Sequence, residues 1–199
     1  MTQTPRRDLR RRHREARLPA SMSQDYSLGP RISGAEHYAL LRHTAGLAEG
    51  TAVEFGVGKG ESTRILAEHM PVIGFDSFQG LPEDWRDEYP RGSFAAAPPA
   101  IPGVRLVIGL FAQTLPDFTF PVDVGLVHID CDLYSSTRVA LALGPHLKPG
   151  TYVVFDEWHG YDTCEQHEQR AWREYADQTG IQWEVVGHDH EAWSIRIAQ

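Results

Sequence analysis

A chain of 199 residues with 41% hydrophobic and 10% aromatic side chains reads as one globular domain, large enough for a single core. No run approaches the roughly 20 apolar residues of a membrane span, and the arginine-rich start lacks the apolar segment of a secretory signal. Two cysteines, Cys131 and Cys164, in no metal-like spacing fit a reducing cytoplasm, the expected location. The net charge of −8 is uneven: seven arginines against Asp8 and Glu15 give residues 1–20 a net +5 and leave −13 on the body, a poor surface for nucleic acid.

The expected division is a basic tail and arm over 1–33 and a catalytic domain over 34–199. Residues 1–20 read as disordered or loosely helical, solvated or docked on the acidic body. Residues 21–33, with Tyr26, Gly29 and Pro30, read as an irregular arm, either folded over a ligand cleft or a plain linker. Apolar residues at 35, 39, 40, 41, 45 and 47 predict a helix over 34–47. Ala52, Val53 and Phe55 make a short buried strand, and Gly56, Gly58 and Gly60 turn the chain sharply after it. Ser62 or Thr63 is placed near the N-cap of a helix over 62–69, which Pro71 ends. The second strand is 72–75, followed by Asp76 and Ser77. Residues 79–103 hold five prolines, three glycines, Trp85, Tyr89 and Phe94. They predict a long loop over the active face, with one helical turn at 83–87; Trp85 either stacks on a sugar ring or anchors the loop.

A third strand covers 104–108 and ends at Gly109-Leu110-Phe111, with a short helix or turn over 113–117. The apolar strand 124–129 precedes Asp130-Cys131-Asp132. Ser135 or Ser136 is expected to cap a helix over 136–147. Strand 152–155 leads into Asp156-Glu157-Trp158-His159, and a helix over 164–178 is stopped by Gly180. Strands 183–186 and 193–197 flank a turn at 188–191. Strand–helix alternation followed by a hairpin predicts an α/β, Rossmann-like doubly wound sheet of seven strands, mostly parallel with a C-terminal antiparallel hairpin. Ligands bind beyond the carboxyl ends of such strands, where Glu54, Asp76, Gly109, Asp130 and Asp156 all fall.

The glycine turn excludes a P-loop, because Lys59 is followed by Gly60 rather than Ser or Thr. A nicotinamide site wants G-x-G-x-x-G, whereas this turn is G-x-G-x-G preceded by Glu54. That pattern, with an acidic residue after the second strand, resembles motifs I and II of the class I S-adenosylmethionine (SAM) methyltransferases. On that reading Gly56, Gly58, Gly60, Ser62 and Thr63 shape a donor site. Glu54 faces a cationic or amino-bearing part of the ligand, Asp76 and Ser77 meet the ribose, and Gly109 and Phe111 flank the adenine. A tight turn without a ligand is the other reading.

Asp130 and Asp132 follow the fourth strand; Asp156 and Glu157 follow its neighbour. Four carboxylates on one rim, with Arg138 the nearest arginine in sequence, repel unless a cation intervenes. Oxygen ligands favour Mg²⁺ or Ca²⁺, or Mn²⁺, over zinc. Solvated caps of strand–helix junctions are the alternative, and Asp132 suits it best. Gly-Phe-Asp-Ser-Phe-Gln-Gly-Leu-Pro (74–82), Gly-Leu-Phe-Ala-Gln-Thr-Leu-Pro (109–116), His-Ile-Asp-Cys-Asp-Leu-Tyr-Ser-Ser-Thr (128–137) and Leu-Lys-Pro-Gly-Thr-Tyr-Val-Val-Phe-Asp-Glu (147–157) together resemble the macrocin O-methyltransferase family over about residues 50–175.

The resemblance implies a SAM-dependent, Mg²⁺-dependent enzyme (Mn²⁺ being the alternative ion) that methylates sugar hydroxyls of macrolides and related glycosides. It implies metal positions at Asp130, Asp156 and Glu157. The family usually carries Asp-Asp after the fifth strand, so Glu157 is a departure. A small sugar or glycoside acceptor is the expected partner, with neither nucleic acid nor membrane, and a homo-oligomer is left open. Asp130 is a candidate ligand and base; His128 and His159 compete for the base role, and Tyr134 and Trp158 either touch the acceptor or pack. Rival readings are a methyltransferase of catechols or other vicinal diols, a nicotinamide oxidoreductase, and a non-catalytic SAM-binding protein.

Overall fold

A computed structural model gives the structure of residues 24–34 and 38–198; the tail at 1–20 lies outside these described residues. β1 (Thr51–Phe55) is buried along its whole length and sits near the centre of a seven-stranded sheet. To one side lie β2 (Val72–Asp76) and β3 (Val104–Ile108). To the other lie β4 (Val124–Ile129), β5 (Tyr152–Phe155), then β7 (Trp193–Ile197) and β6 (Trp183–His188) at the edge. β1 to β5 pair in parallel, and β7 runs antiparallel to both β5 and β6. The chain winds outward from β1 to β3 and then returns to β4. The crevice expected in such a sheet therefore opens where β1 and β4 end.

Among the described residues, five α-helices accompany the sheet: α1 (Ala39–Ala45), α2 (Glu61–Ala67), α3 (Phe111–Thr114), α4 (Tyr134–Ala140) and α5 (Glu168–Thr179). The two-residue period of the strands sorts the core into two layers. Val53, Phe55, Val127, Ile129 and Phe155 pack with Trp172 and Ala176 of α5 on one face. Ala52, Leu126 and Val154 pack with Leu41 of α1 and Leu66 of α2 on the other.

Several local expectations are corrected. Helix α2 starts behind Gly60, whose φ of 80° puts it in the left-handed region, and α4 starts behind Leu133; neither has a side-chain cap. Ser62, Thr63, Ser135 and Ser136 therefore lie inside first turns instead of capping them. The helix expected over 136–147 stops at Ala140 and continues as a 3₁₀ segment, Leu141–His146, that contains Pro145. A proline there removes an N–H and clashes with the carbonyl four residues back. Residues 83–87 are not helical. Gly180, at φ 70°, ends α5.

The described part of the arm, residues 24–33, does not line the cleft. Trp183 and Trp193 donate their indole N–H groups to the carbonyls of Asp25 and Ser27. The Tyr26 ring meets Trp183 edge-on at 5.2 Å, and Arg31 bridges to His188 as a parallel partner. β6 is an edge strand with unpaired backbone groups, and buried indoles need acceptors; the arm supplies both.

Candidate active site

A cavity of about 720 Å³ opens beyond the strand ends. One wall is the glycine turn with Ser62, Asp76 and Ser77. Gly56 has φ +95°, and a Cβ there would sit 1.6 Å from the carbonyl oxygen of Asp130. Gly58, at φ +50°, has nothing within 4 Å of its Cβ position, so the backbone is bare toward the cavity. Asp76 braces this turn: one carboxylate oxygen accepts the N–H groups of Val57 and Gly58 at 2.9 and 2.8 Å, and the other accepts Phe78 N–H at 2.7 Å. A carboxylate has about four acceptor sites, and Asp76 lines the cavity with capacity to spare. Gly109 and Phe111 line the same side, with Phe111 edge-on to Phe55 at 5.3 Å.

Glu54, Gly60 and Thr63 are not among the described residues that line the cavity. Gly60 is covered by Pro99 and Ile101. Glu54 is fully buried. Strand alternation sends it into the layer beneath α2, where one oxygen accepts the Thr63 hydroxyl and the other meets His128 Nδ1 at 3.0 Å. A buried carboxylate needs such partners, so Glu54 supports the glycine turn from behind.

Asp130, Asp156 and Glu157 bring one carboxylate oxygen each to within 4.8 Å of one another, on the cavity wall. Burial, and then the neighbouring carboxylates, push Asp130 and Glu157 well above the usual range. Glu157 Oε2 is buried with no hydrogen-bond partner. Burial and Asp156 push Asp132, beside the cluster, up to about 7. Its backbone sits at φ 61°, a left-handed conformation that aspartate tolerates better than most residues. Glu168, at the start of α5, accepts the Glu157 N–H at 3.2 Å. Burial alone would push His128 down, but the flanking carboxylates of Asp156 and Glu54 hold it well above its ordinary value.

His159 is not among the described lining residues. The Glu191 carbonyl holds its backbone N–H, and its ring meets that of His188 at 5.4 Å. Trp158 is 2% exposed and stacked on Trp193 at 4.2 Å, so it packs. Tyr134 donates its hydroxyl to Glu174 and also stays off the cavity wall.

The opposite wall is aromatic. Trp85, Tyr89 and Phe94 of the long loop line it, together with Arg86, Tyr38, His190 and Glu191. The Arg86 guanidinium lies 3.9 Å from the Trp85 ring centroid and 3.5 Å from that of Tyr161, and donates to Glu191 at 2.7 Å. Trp85 thus both anchors the loop and faces the cavity. Tyr38, just before α1, has its phenol pushed up by burial and then by Asp130 and Asp156.

A family model described as a methyltransferase domain matches residues 53–158, a little over half of the chain. The chain belongs to this methyltransferase family. No curated protein sequence matches it. Among solved structures, the methyltransferase is similar to the O-methyltransferase NovP, with 25% identity and a TM-score of 0.64 over 80% of this chain and 78% of NovP. It is also similar to CalS11, a calicheamicin methyltransferase, with 23% identity and a TM-score of 0.61 over 79% of this chain and 76% of CalS11. TomG from Streptomyces achromogenes, an O-methyltransferase solved with SAM, gives 15% and 0.50 over 82% and 78%. CalS11 and TomG speak to the fold alone. The chain is a class I, SAM-dependent methyltransferase.

Arg86, Glu191, Glu168 and Tyr38 of the methyltransferase were not picked out from the sequence. None carries a spacing signal, since each reaches the site from a distant segment. Arg86 also corrects the expectation of a rim without a nearby arginine: it lies close enough to Asp132 to pull that carboxyl down against burial. Among the described residues, no helix is long and apolar enough to cross a membrane.

Proposed function

We propose that this methyltransferase transfers the SAM methyl group to one hydroxyl of a vicinal diol on a sugar or glycoside, with a divalent cation, Mg²⁺ or Mn²⁺, held by Asp130, Asp156 and Glu157. The observation that carries the reading is the cluster itself. Three carboxylate oxygens lie within 4.8 Å, one of the three groups leaves a buried oxygen unpartnered, and all three face the same cavity as the glycine turn. An all-oxygen donor set suits a hard cation. When bound, such an ion lowers the pKa of a coordinated hydroxyl and fixes its direction.

The chain's own residues do the rest. Gly56, Val57 and Gly58 offer bare backbone to the donor, with Asp76 and Ser77 toward its ribose and Gly109 and Phe111 toward its adenine. Transfer needs the acceptor oxygen in line with the sulfonium methyl, about 3–3.5 Å away. Trp85, Tyr89 and Phe94 suit the apolar faces of a sugar. Asp132 lines the cavity outside the three-oxygen cluster and is left to take the hydroxyl proton, because Asp130 serves the cation and His159 does not line the cavity among the described residues.

CalS11 is itself a TDP-rhamnose 3'-O-methyltransferase, which is in keeping with a sugar acceptor. The test is methyl transfer from labelled SAM to a panel of glycosides. Activity is expected to vanish with a chelator and return with Mg²⁺, and a matched deoxy-sugar lacking one hydroxyl of the pair should lose most turnover. Comparable turnover on the deoxy-sugar would refute chelation, and preference for an aromatic diol would move the enzyme to catechol-type acceptors.

A further inference from the structure

The two-residue period that buries Glu54 also builds a row of polar groups across the sheet. β1 and β4 pair Glu54 with His128, and β4 and β5 pair His128 with Val154. Ala52, Leu126 and Val154 all pack in the layer beneath α1 and α2, so Glu54, His128 and, two residues beyond Val154, Asp156 come out on that same face. The side chains follow the same line, hydrogen-bonded from Thr63 to His128 and then within ion-pair reach, though not hydrogen-bond reach, of Asp156. The Thr63 hydroxyl of α2 donates to Glu54, Glu54 meets His128 Nδ1 at 3.0 Å, and His128 Nε2 lies 3.7 Å from Asp156 Oδ1.

Thr63, Glu54 and His128 are fully buried and Asp156 is 7% exposed. One end of the row fixes the first turn of the helix behind the donor's glycine turn. The other end is a carboxylate of the acidic cluster. Packing of apolar side chains alone would not need a histidine between two carboxylates on central strands; a nonpolar residue there would be the cheaper choice.

We propose that His128 is a positioning residue that couples the two halves of the site, so that a cation on the acidic cluster and the methyl donor on the glycine turn each tighten the binding of the other. The inference rests on the cation reading of the cluster given above. The first ligand to bind orders the row, and the second binds to a row already ordered. The coupling must be reciprocal, because it is a single free energy shared by both ligands.

Calorimetry with S-adenosylhomocysteine, with and without saturating MgCl₂, tests this without turnover. In the wild-type protein Mg²⁺ should tighten the nucleoside about fivefold or more, the lower end of ordinary coupling. His128→Asn keeps a donor at the position facing Glu54, and His128→Gln keeps one at the position facing Asp156. Each breaks the row at one end. In both variants the enhancement should fall below about twofold while each ligand still binds. If a histidine variant does not fold, Thr63→Val cuts the same row at its far end and should give the same loss. Variants that keep the wild-type enhancement would overturn the proposal. So would wild-type protein that binds both ligands independently, and that outcome would leave the cation reading intact. Absence of any Mg²⁺ binding would instead remove the cation reading and the coupling with it.

Discussion

The wall of the cavity proposed for the donor comes almost entirely from one stretch, Gly56 to Ser77, with Gly109 and Phe111 closing its edge. The opposite wall gathers Tyr38, Trp85, Arg86, Asp132, Glu157 and Glu191 from segments far apart in the chain. The first is set by backbone geometry: left-handed glycines, N–H groups held by Asp76, and a strand end beneath. The second is set by side-chain contacts such as the Arg86–Glu191 pair. A backbone-built wall should fail abruptly when one atom is added. A side-chain-built wall should degrade in steps, and mainly toward the acceptor.

The largest effect should come from Gly56→Ala. The substitution costs about 1–2 kcal/mol for the left-handed backbone and adds a methyl that would overlap the Asp130 carbonyl at 1.6 Å. Overpacking typically adds about 1–3 kcal/mol, so a total of roughly 2–5 kcal/mol is expected, with loss of donor binding. Gly58→Ala meets no atom within 4 Å. It should cost only the left-handed backbone penalty of about 1–2 kcal/mol, without the overpacking, and yet weaken the donor, because its methyl would stand in open space on a residue that lines the cavity. Denaturant unfolding and calorimetry on both variants decide the matter. Equal destabilisation by the two would show that the close approach of Gly56 to Asp130 does not hold the turn.

Next in size is Asp156→Asn. It should leave the fold and the metal-free affinity for S-adenosylhomocysteine within about threefold of wild type while turnover drops by about 100-fold or more, the pattern of an interaction made in the transition state. Exhaustive chelation of the wild type should reproduce the loss, and Mg²⁺ should reverse it only there. A demetallated enzyme running at its normal rate would make the cluster structural or purely acid–base.

The same contrast explains what the sequence disclosed. The glycine-turn wall is contiguous, so G-x-G-x-G after a buried strand and Asp76 after the next strand could be read directly. The carboxylates of β4 and β5 were legible because parallel neighbours carry their ends to one rim. Glu54 was legible as a site residue but not in its direction. The strand's alternation, already visible in Ala52, Val53 and Phe55, would have turned it toward α2 and set it beside His128. Arg86 and Glu191 are 105 residues apart, and no local pattern announces such a pair. His159 was expected as a candidate base but is not among the described lining residues: its backbone N–H is tied to the Glu191 carbonyl, in a turn whose approach cannot be seen from residues 156–160.

On the side-chain-built wall, Arg86→Lys should have a moderate effect confined to the acceptor. Lysine keeps the charge toward Glu191 but loses the planar group held between Trp85 and Tyr161. A charged hydrogen bond is worth about 1.5–3 kcal/mol, and part of it survives in lysine. The acceptor KM should rise about tenfold, equivalent to about 1.4 kcal/mol, with donor affinity unchanged. Limited proteolysis within 79–103 should quicken in the absence of ligands. A variant with normal KM and unchanged cleavage would mean that the loop is held elsewhere.

The smallest effect should come from Ser135→Ala. Ser135 donates to Glu83 at 2.6 Å, but the contact is exposed, so water replaces it cheaply and the loss should stay under about 1 kcal/mol. The acceptor KM should change less than about threefold, the equivalent of about 0.65 kcal/mol, and the donor not at all. Glu83 and Arg86 lie three residues apart on one loop and tie it to different elements, α4 and the β6–β7 turn. If the loop is released as a unit, the second anchor matters more once the first is gone. The double variant Ser135→Ala with Arg86→Lys should then raise KM by more than the product of the single effects, with a coupling of about 0.5 kcal/mol or more. Simple multiplication would mean that the two anchors hold separate halves of the loop. A larger effect from Ser135→Ala than from Arg86→Lys would reverse their order and make α4, not the hairpin turn, the element that fixes the acceptor wall.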